Sequence, residues 1–173
     1  MLSFRDLTAD EIDVRIQSVK QNGIVLLLYK DARVDMNILD ETVGPERWQR
    51  THELIDGKLF CNIGINFGTN GASEWVWKQD VGVESNTEKE KGQASDSFKR
   101  AGFNWGIGRE LYTSPFIWVS SDKCNITNDG NVKKCFDTFA VEKIKIENKR
   151  ITGLSIINTK TKARVFVWTE KGA

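Results

Sequence analysis

Between Asp80 and Tyr112 the chain reads DVGVESNTEKEKGQASDSFKRAGFNWGIGRELY, and one spacing in that run constrains the fold most. Ala94, Phe98, Ala101, Trp105, Gly108 and Tyr112 recur at steps of four, three, four, three and four. That is the apolar face of a helix laid on a sheet. Thr87 and Glu90 fit a capping box at its start. The same helix carries the adjacent cations Lys99 and Arg100, with Arg100 roughly opposite Phe98 and Lys99 at the flank. A basic pair on a rigid helix is a means of holding phosphate rather than of breaking a bond. It is also what an ordinary solvated helix face looks like, with Asp96 as an ion-pair partner one turn back.

The segments around this helix predict strands. Arg47 to Ile55 and Leu59 to Phe67 are joined at Asp56-Gly57, a hairpin signal. In the second of them Leu59, Cys61, Ile63, Ile65 and Phe67 alternate with Phe60, Asn62, Gly64 and Asn66. A third strand is expected over Glu74 to Val83, with Trp75, Trp77, Val81 and Val83 on one face. Nearer the N-terminus, Thr8 and Glu11 form a capping box before a helical stripe of Ile12, Ile16 and Val19, which stops at Asn22-Gly23. Ile24 to Tyr29 is a short buried strand, and Asp31 can cap a second helix running to about Thr42 before Gly44-Pro45. Past Pro115 the pattern is β. A strand is expected at Phe116 to Val119, a turn at Asn128-Asp129-Gly130, and a meander over Phe139 to Ile146, Ile151 to Ile157 and Arg164 to Trp168.

The expected fold class is therefore α+β: a three-stranded antiparallel sheet followed by a long helix, with flanking N-terminal helices and a C-terminal β-meander. At 173 residues this is expected as one domain, 31–112 forming the core and 116–168 a β-rich extension.

Several chemistries find no support. No GxxxxGK[ST] run exists, so no P-loop is present. Gly106-Ile107-Gly108 follows a helix instead of joining strand to helix, which favours helix packing over a dinucleotide fingerprint. Asp80 and Glu84 do not make the paired carboxylates of a two-metal nuclease. The cysteines Cys61, Cys124 and Cys135 are scattered, and His52 is the single histidine, so neither a disulfide framework nor a zinc site is expected. No cofactor, metal or catalytic residue is predicted, and the chain is read as a non-enzyme. The N-terminal MLSFRDLTADEI has no signal-like apolar region, and no run is long enough to cross a membrane. A cytoplasmic location in a bacterial host cell is expected. The net charge of +1 gives no global basic field, so any nucleic-acid surface must come from segregated charge.

The order and spacing from Trp75 to Tyr112 resemble the Rad-fifty-two / Rad-twenty-two superfamily of single-strand annealing proteins, including its phage members. That family has a strand ending in EDVG, a polar segment, and a helix reading roughly KEAxxDxLKRAxxxxGxxLGxxLY. The matching residues are Gln79-Asp80-Val81-Gly82, Lys91 to Ala94, Asp96, Phe98-Lys99-Arg100-Ala101, Gly106, Gly108 and Leu111-Tyr112. A weaker match extends upstream through Arg33-Val34, Gly44 and Trp48, so the resemblance covers about 31–112.

The resemblance implies a phage-type recombination mediator. Such a protein assembles into a homo-oligomeric ring or arc and anneals complementary single strands without ATP or metal. By resemblance Lys99 and Arg100 are the basic pair of the DNA groove and Arg33 a further basic position before the hairpin. Lys89 or Lys91 would serve a second DNA site. Phe103 stands where some members carry a groove arginine, and Arg109 could substitute for it. Candidate protein partners are a single-strand-binding protein or a recombination exonuclease; no membrane partner is expected. Three alternatives stay open: a nucleic-acid-binding module that does not anneal, an inhibitor that has kept the fold and lost the groove, and a nuclease for which the sequence supplies no ligand set.

Overall fold

The structure is a computed structural model, and it describes residues 1–83, 89–130 and 132–170, with backbone alone at 89–91 and 129. Among the described residues there are eleven strands and two α-helices. The strands are β1 (Asp13–Val19), β2 (Gly23–Tyr29), β3 (Trp48–Ile55), β4 (Lys58–Asn66), β5 (Trp75–Val81) and β6 (Ile117–Ser120). They continue as β7 (Ile126–Asp129), β8 (Val132–Cys135), β9 (Phe139–Glu147), β10 (Arg150–Asn158) and β11 (Arg164–Thr169). The helices are α1 (Ala32–Val43) and α2 (Lys89–Trp105). The chain divides into two compact units, Met1–Arg5 with Ala32–Arg109 and Asp6–Asp31 with Glu110–Ala173.

The first unit contains the antiparallel sheet β3-β4-β5 with α2 on one face. The β3–β4 turn places Asp56 and Gly57 at φ 50 and 74, the left-handed pair that matches the twist of a two-residue hairpin. Cys61, Ile63 and Ile65 of β4 are buried on the helix side, as are Phe98 and Ala101 of α2. Burying Phe98 contributes about 2–3 kcal/mol of hydrophobic free energy. Trp48 stacks on it with ring centroids 6.1 Å apart. Helix α1 buries Ile38, Leu39 and Asp35, and an added Cβ at Gly102 of α2 would lie 3.3 Å from the Asp35 carboxylate. The two helices therefore meet where α2 has no side chain.

Helix α2 stops earlier than the apolar spacing predicts. Gly106 has φ 98; its N–H bonds to the Phe103 carbonyl at 2.9 Å, and the Ile107 N–H bonds to Gly102 at 3.0 Å. This is a Schellman closure, for which glycine is the residue without a Cβ penalty. Ile107 is fully buried, while Tyr112 falls on a separate 3-10 turn (Arg109–Thr113) and is 63% exposed. The stripe thus ends at Trp105. The capping box assigned to Thr87 and Glu90 lies outside the described residues.

The second unit overturns the expected fold class. The chain is mostly β, and its largest element is a six-stranded antiparallel sheet in the order β11-β10-β9-β1-β2-β6. It curls into a nearly closed barrel-like form that brings the edge strands β11 and β6 close together. Register shifts at Ile16/Ser18, Ile151/Gly153 and Ser155/Ile156 mark bulges, which add the local twist such curvature needs. The three-stranded sheet with a long helix belongs to the other unit and is not the core of the whole chain. The C-terminal strands β9, β10 and β11 form half of the six-stranded sheet.

The first of the expected N-terminal helices is absent. Thr8 and Glu11 do form the capping box, but it opens only a single 3-10 turn, Ala9–Glu11, and the chain then enters β1. The spacing of Ile12, Ile16 and Val19 suits a helix, yet Asp13-Val14-Arg15-Ile16-Gln17 also alternates strictly, and Val14 and Ile16 are the half-buried members. Strand β1 pairs with β2 along its length and with β9 through Asp13 and Val14. The hairpin with β2 and the long-range pairs with β9 together outweigh the helical spacing.

Candidate nucleic-acid interface

The Asp80-Val81-Gly82 strand end is the device that docks α2. Gly82 passes so close to the helix that an added Cβ would sit 2.1 Å from the Gln93 carbonyl oxygen, so no larger residue fits without displacing the helix. Gln93 Nε2 donates to the Gly82 carbonyl at 3.3 Å, and Asp96 accepts from the Val83 N–H at 2.9 Å. Asn104 Nδ2 donates to the Gln79 carbonyl at 2.8 Å and to Asp80 Oδ2 at 3.3 Å. In the three-stranded sheet β5 is an edge strand. These side chains from α2 occupy polar groups that an open edge would leave for another chain.

Arg100 belongs to the same seam. Its Nε donates to Asp80 Oδ1 at 3.4 Å, with 37% of the arginine side chain and 23% of the aspartate exposed. Asp80 Oδ1 also accepts from the Val81 N–H at 2.7 Å, which fixes the carboxylate. A partly exposed pair of this kind contributes at most about 1 kcal/mol to stability. Its larger consequence is orientation: the guanidinium is held by Nε. The partner is Asp80 on the strand, not the Asp96 that helix spacing alone suggests.

At about 100° per residue, Lys99 and Arg100 fall on either side of the α2 ridge farthest from the sheet, with Asp96 and Phe103 between them. Phe103 is half-buried there. Lys89 and Lys91 lie in the first turn of the same helix, and their side chains are outside the description. Arg109 follows the helix; it donates to the Phe103 carbonyl at 3.0 and 2.8 Å and to Asn104 at 3.2 Å. It therefore caps the helix C-terminus, where carbonyls lack partners and cations are favoured. Arg33 is exposed in the first turn of α1, about 160° around that helix from its buried Asp35–Ile38–Leu39 side. The fold thus sets Lys99 and Arg100 on opposite flanks of the outer ridge of α2, Arg100 on the flank that reaches β5, gives Arg109 a capping role, and sets Arg33 on the far side of α1 from that helix's core.

Two cations beside α2 escaped the sequence reading. Lys78 of β5 sits 4.7 Å over the Trp105 ring and donates to the Asn104 carbonyl at 2.8 Å. Arg50 of β3 sits 4.7 Å over the Phe98 ring. Both lie on the helix side of the sheet and are exposed while their stems cover aromatic surface. The signal was available, since Arg50 pairs with Ile63 and Ile63 with Lys78. Reading that register requires knowing how the strands pair.

Burial pushes the Cys61 thiol up to about 11, and burial with the neighbouring Cys135 and Asp137 pushes Cys124 up to about 11, so both stay protonated near neutrality. No cluster of three His, Cys, Asp or Glu suited to a metal is found among the described residues. None of the described helices is long and apolar enough to cross a membrane.

No family model matches this chain. Two curated proteins are similar to it, both bearing the name single-stranded DNA-binding protein DdrA. The one from Deinococcus radiodurans is 32% identical over 107 residues, 61% of this chain and 49% of the relative. The one from Deinococcus deserti is 32% identical over 98 residues, 56% of this chain and 46% of the relative. The chain therefore spans about half the length of the curated relatives it matches.

Proposed function

We propose that this chain binds single-stranded DNA through the sugar-phosphate backbone, with Lys99 and Arg100 on α2 as the principal contacts. The observation that carries the reading is the anchoring of Arg100 by Asp80. A guanidinium held on a rigid helix suits phosphate, which needs charge and position rather than base readout. The similarity to two proteins named for single-stranded DNA binding supports the same ligand. Arg33, Lys89, Lys91 and Arg109 are assigned as secondary contacts, and Lys78 and Arg50 add positive charge on the flanks of the same helix.

The finer reading rests on the resemblance of the Trp75 to Tyr112 segment to the Rad-fifty-two superfamily. It is ATP-independent annealing of complementary strands by a homo-oligomeric ring or arc, in recombination or repair within the bacterial cytoplasm, and of phage origin. Repeated shallow sites around such an assembly would supply avidity that one protomer of net charge +1 cannot. The single-strand-binding protein or exonuclease partners belong to this finer reading.

The test is a salt titration of binding to a fluorescent oligothymidylate, comparing the wild type with the double variant Lys99→Ala/Arg100→Ala. Affinity is expected to fall at least about tenfold and the salt slope to drop by about one to two, as phosphate contacts are lost. An unchanged slope would remove the assignment. Annealing is tested separately with two complementary labelled oligonucleotides, without ATP or magnesium. Binding without faster pairing would leave a non-annealing module.

A further inference from the structure

The face of the β3-β4-β5 sheet that α2 does not cover carries a second kind of surface. Trp75 and Trp77, on alternate residues of β5, stack there with ring centroids 5.9 Å apart and planes inclined by 27°. Trp77 pairs across the strands with Gly64, where an added Cβ would lie 2.7 Å from the indole, so the ring lies down on the bare backbone of β4. An aromatic over a cross-strand glycine is a known way to stiffen a sheet. That role needs one indole and one ring face. It accounts neither for a second tryptophan stacked alongside nor for Trp77 remaining 42% exposed.

The surroundings say what such a surface suits. Gln49, Thr51, Asn62 and Gln79 occupy the neighbouring positions of the same face, as the strand register shows. These are amides and a hydroxyl, able to donate and to accept hydrogen bonds. The charges on this face are Glu53 and Lys58, both towards the hairpin end. Phe60 and Val81 lie on the same face one row nearer the hairpin end. Aromatic anchors occur at contacts between proteins as well, so it is the amides and hydroxyl beside the indoles that favour a base. Flat π surface ringed by uncharged hydrogen-bonding groups suits the face and edge of an unpaired base.

Strand β5 links this surface to the cations. Its odd positions Trp75, Trp77 and Gln79 point to the uncovered face; its even positions Lys78 and Asp80 point to the helix side, where Asp80 holds Arg100. A strand of DNA running over β5 would meet cations on one side and indoles on the other.

We infer that Trp75 and Trp77 form a stacking platform for unpaired nucleobases of the single strand whose phosphates Lys99 and Arg100 hold. The inference rests on the single-stranded DNA reading proposed above. It makes binding bipartite: charge from the helix side and stacking from the open face.

The test uses Trp77→Leu, which keeps apolar cover over Gly64 and removes the large π face, and Trp77→Phe, which restores part of it. Far-ultraviolet circular dichroism and thermal melting confirm that each variant is folded. Binding of an oligothymidylate is then measured across a salt series, beside an abasic strand of equal length and charge. The expected result is a loss on the order of tenfold for Trp77→Leu, partial recovery for Trp77→Phe, and a salt slope equal to wild type, because no phosphate contact has been removed. The abasic strand should bind wild type more weakly and be insensitive to Trp77→Leu. Wild-type affinity in a folded Trp77→Leu would overturn the platform while leaving the backbone reading intact. So would an altered oligomeric state by light scattering at unchanged affinity, which would make the face a contact between copies. Absence of any oligothymidylate binding by the wild type would overturn the underlying reading and the platform with it.

Discussion

The two units of this chain are built by different means. The Ala32–Arg109 portion is assembled from neighbours in sequence: a two-residue hairpin, a third strand, and a helix closed by a Schellman turn. The other unit joins a hairpin near the N-terminus to strands more than a hundred residues later, since Val14 of β1 pairs with Phe139 of β9. Local assembly leaves its marks in short stretches of sequence: turn residues, caps and a helical period. Non-local assembly leaves only alternation, which does not say what a strand pairs with. The proposed contacts also divide along this line, because every assigned cation lies in the locally built unit or at its last residue, Arg109.

The largest expected effect tests how far the units are separate. Phe98→Ala should cost about 3–5 kcal/mol, and its counterpart Ile156→Ala about 2–5 kcal/mol, both read by urea unfolding. Amide exchange should quicken first in β3 to β5 for Phe98→Ala and in β9 to β11 for Ile156→Ala. Exchange rising equally in both units for either variant would mean that the comparison describes construction and not stability.

Next comes the seam between β5 and α2. Gly82→Ala places a methyl against the Gln93 carbonyl and should cost about 1–3 kcal/mol by overpacking. DNA affinity should fall with it, because the seam sets where Arg100 stands. A variant that is destabilised but binds normally would separate helix docking from ligand binding.

The smallest effect belongs to the six-stranded sheet. Glu142 is held down to about 2, first by the Arg164 hydrogen bonds at 2.6 and 2.7 Å and then by Ser155. A carboxylate depressed on folding contributes stability above its unfolded pKa and loses it as pH falls towards the folded value. The melting-temperature gap between wild type and Glu142→Gln should therefore be present at pH 7 and close between about pH 4 and pH 2. DNA binding near neutrality should be untouched. A gap that persists at pH 2 would show that packing, not charge, sets the effect of the substitution.

Much of the first unit was legible in advance. The Asp56-Gly57 turn, the alternation through β4, the α1 span before Gly44 and the α2 ridge all follow from local chemistry. The strands past Pro115 were legible as strands, but their place in a six-stranded sheet was not. The N-terminal segment misled because Ile12, Ile16 and Val19 satisfy a helical period while Asp13 to Gln17 satisfies a strand period. A short stretch cannot choose between the two; pairing with β2 and β9 chose. At the site, Lys99 and Arg100 stood out because they are adjacent in sequence. Asp80 as the partner of Arg100, Lys78 over Trp105 and the Trp75–Trp77 stack depend on distances across strands and helix.

By itself the sequence determined the residue types and local periods: a basic pair on an amphipathic helix, and glycines where backbone must turn or approach closely. Only the tertiary structure decided that β1 is a strand, that Arg100 answers to Asp80, and that one edge strand shows cations on one side and indoles on the other. The physical reason is range. Turn geometry, capping and helical period act within a few residues, whereas sheet partners and ion pairs are chosen by burial and hydrogen-bond demand among segments far apart in the chain.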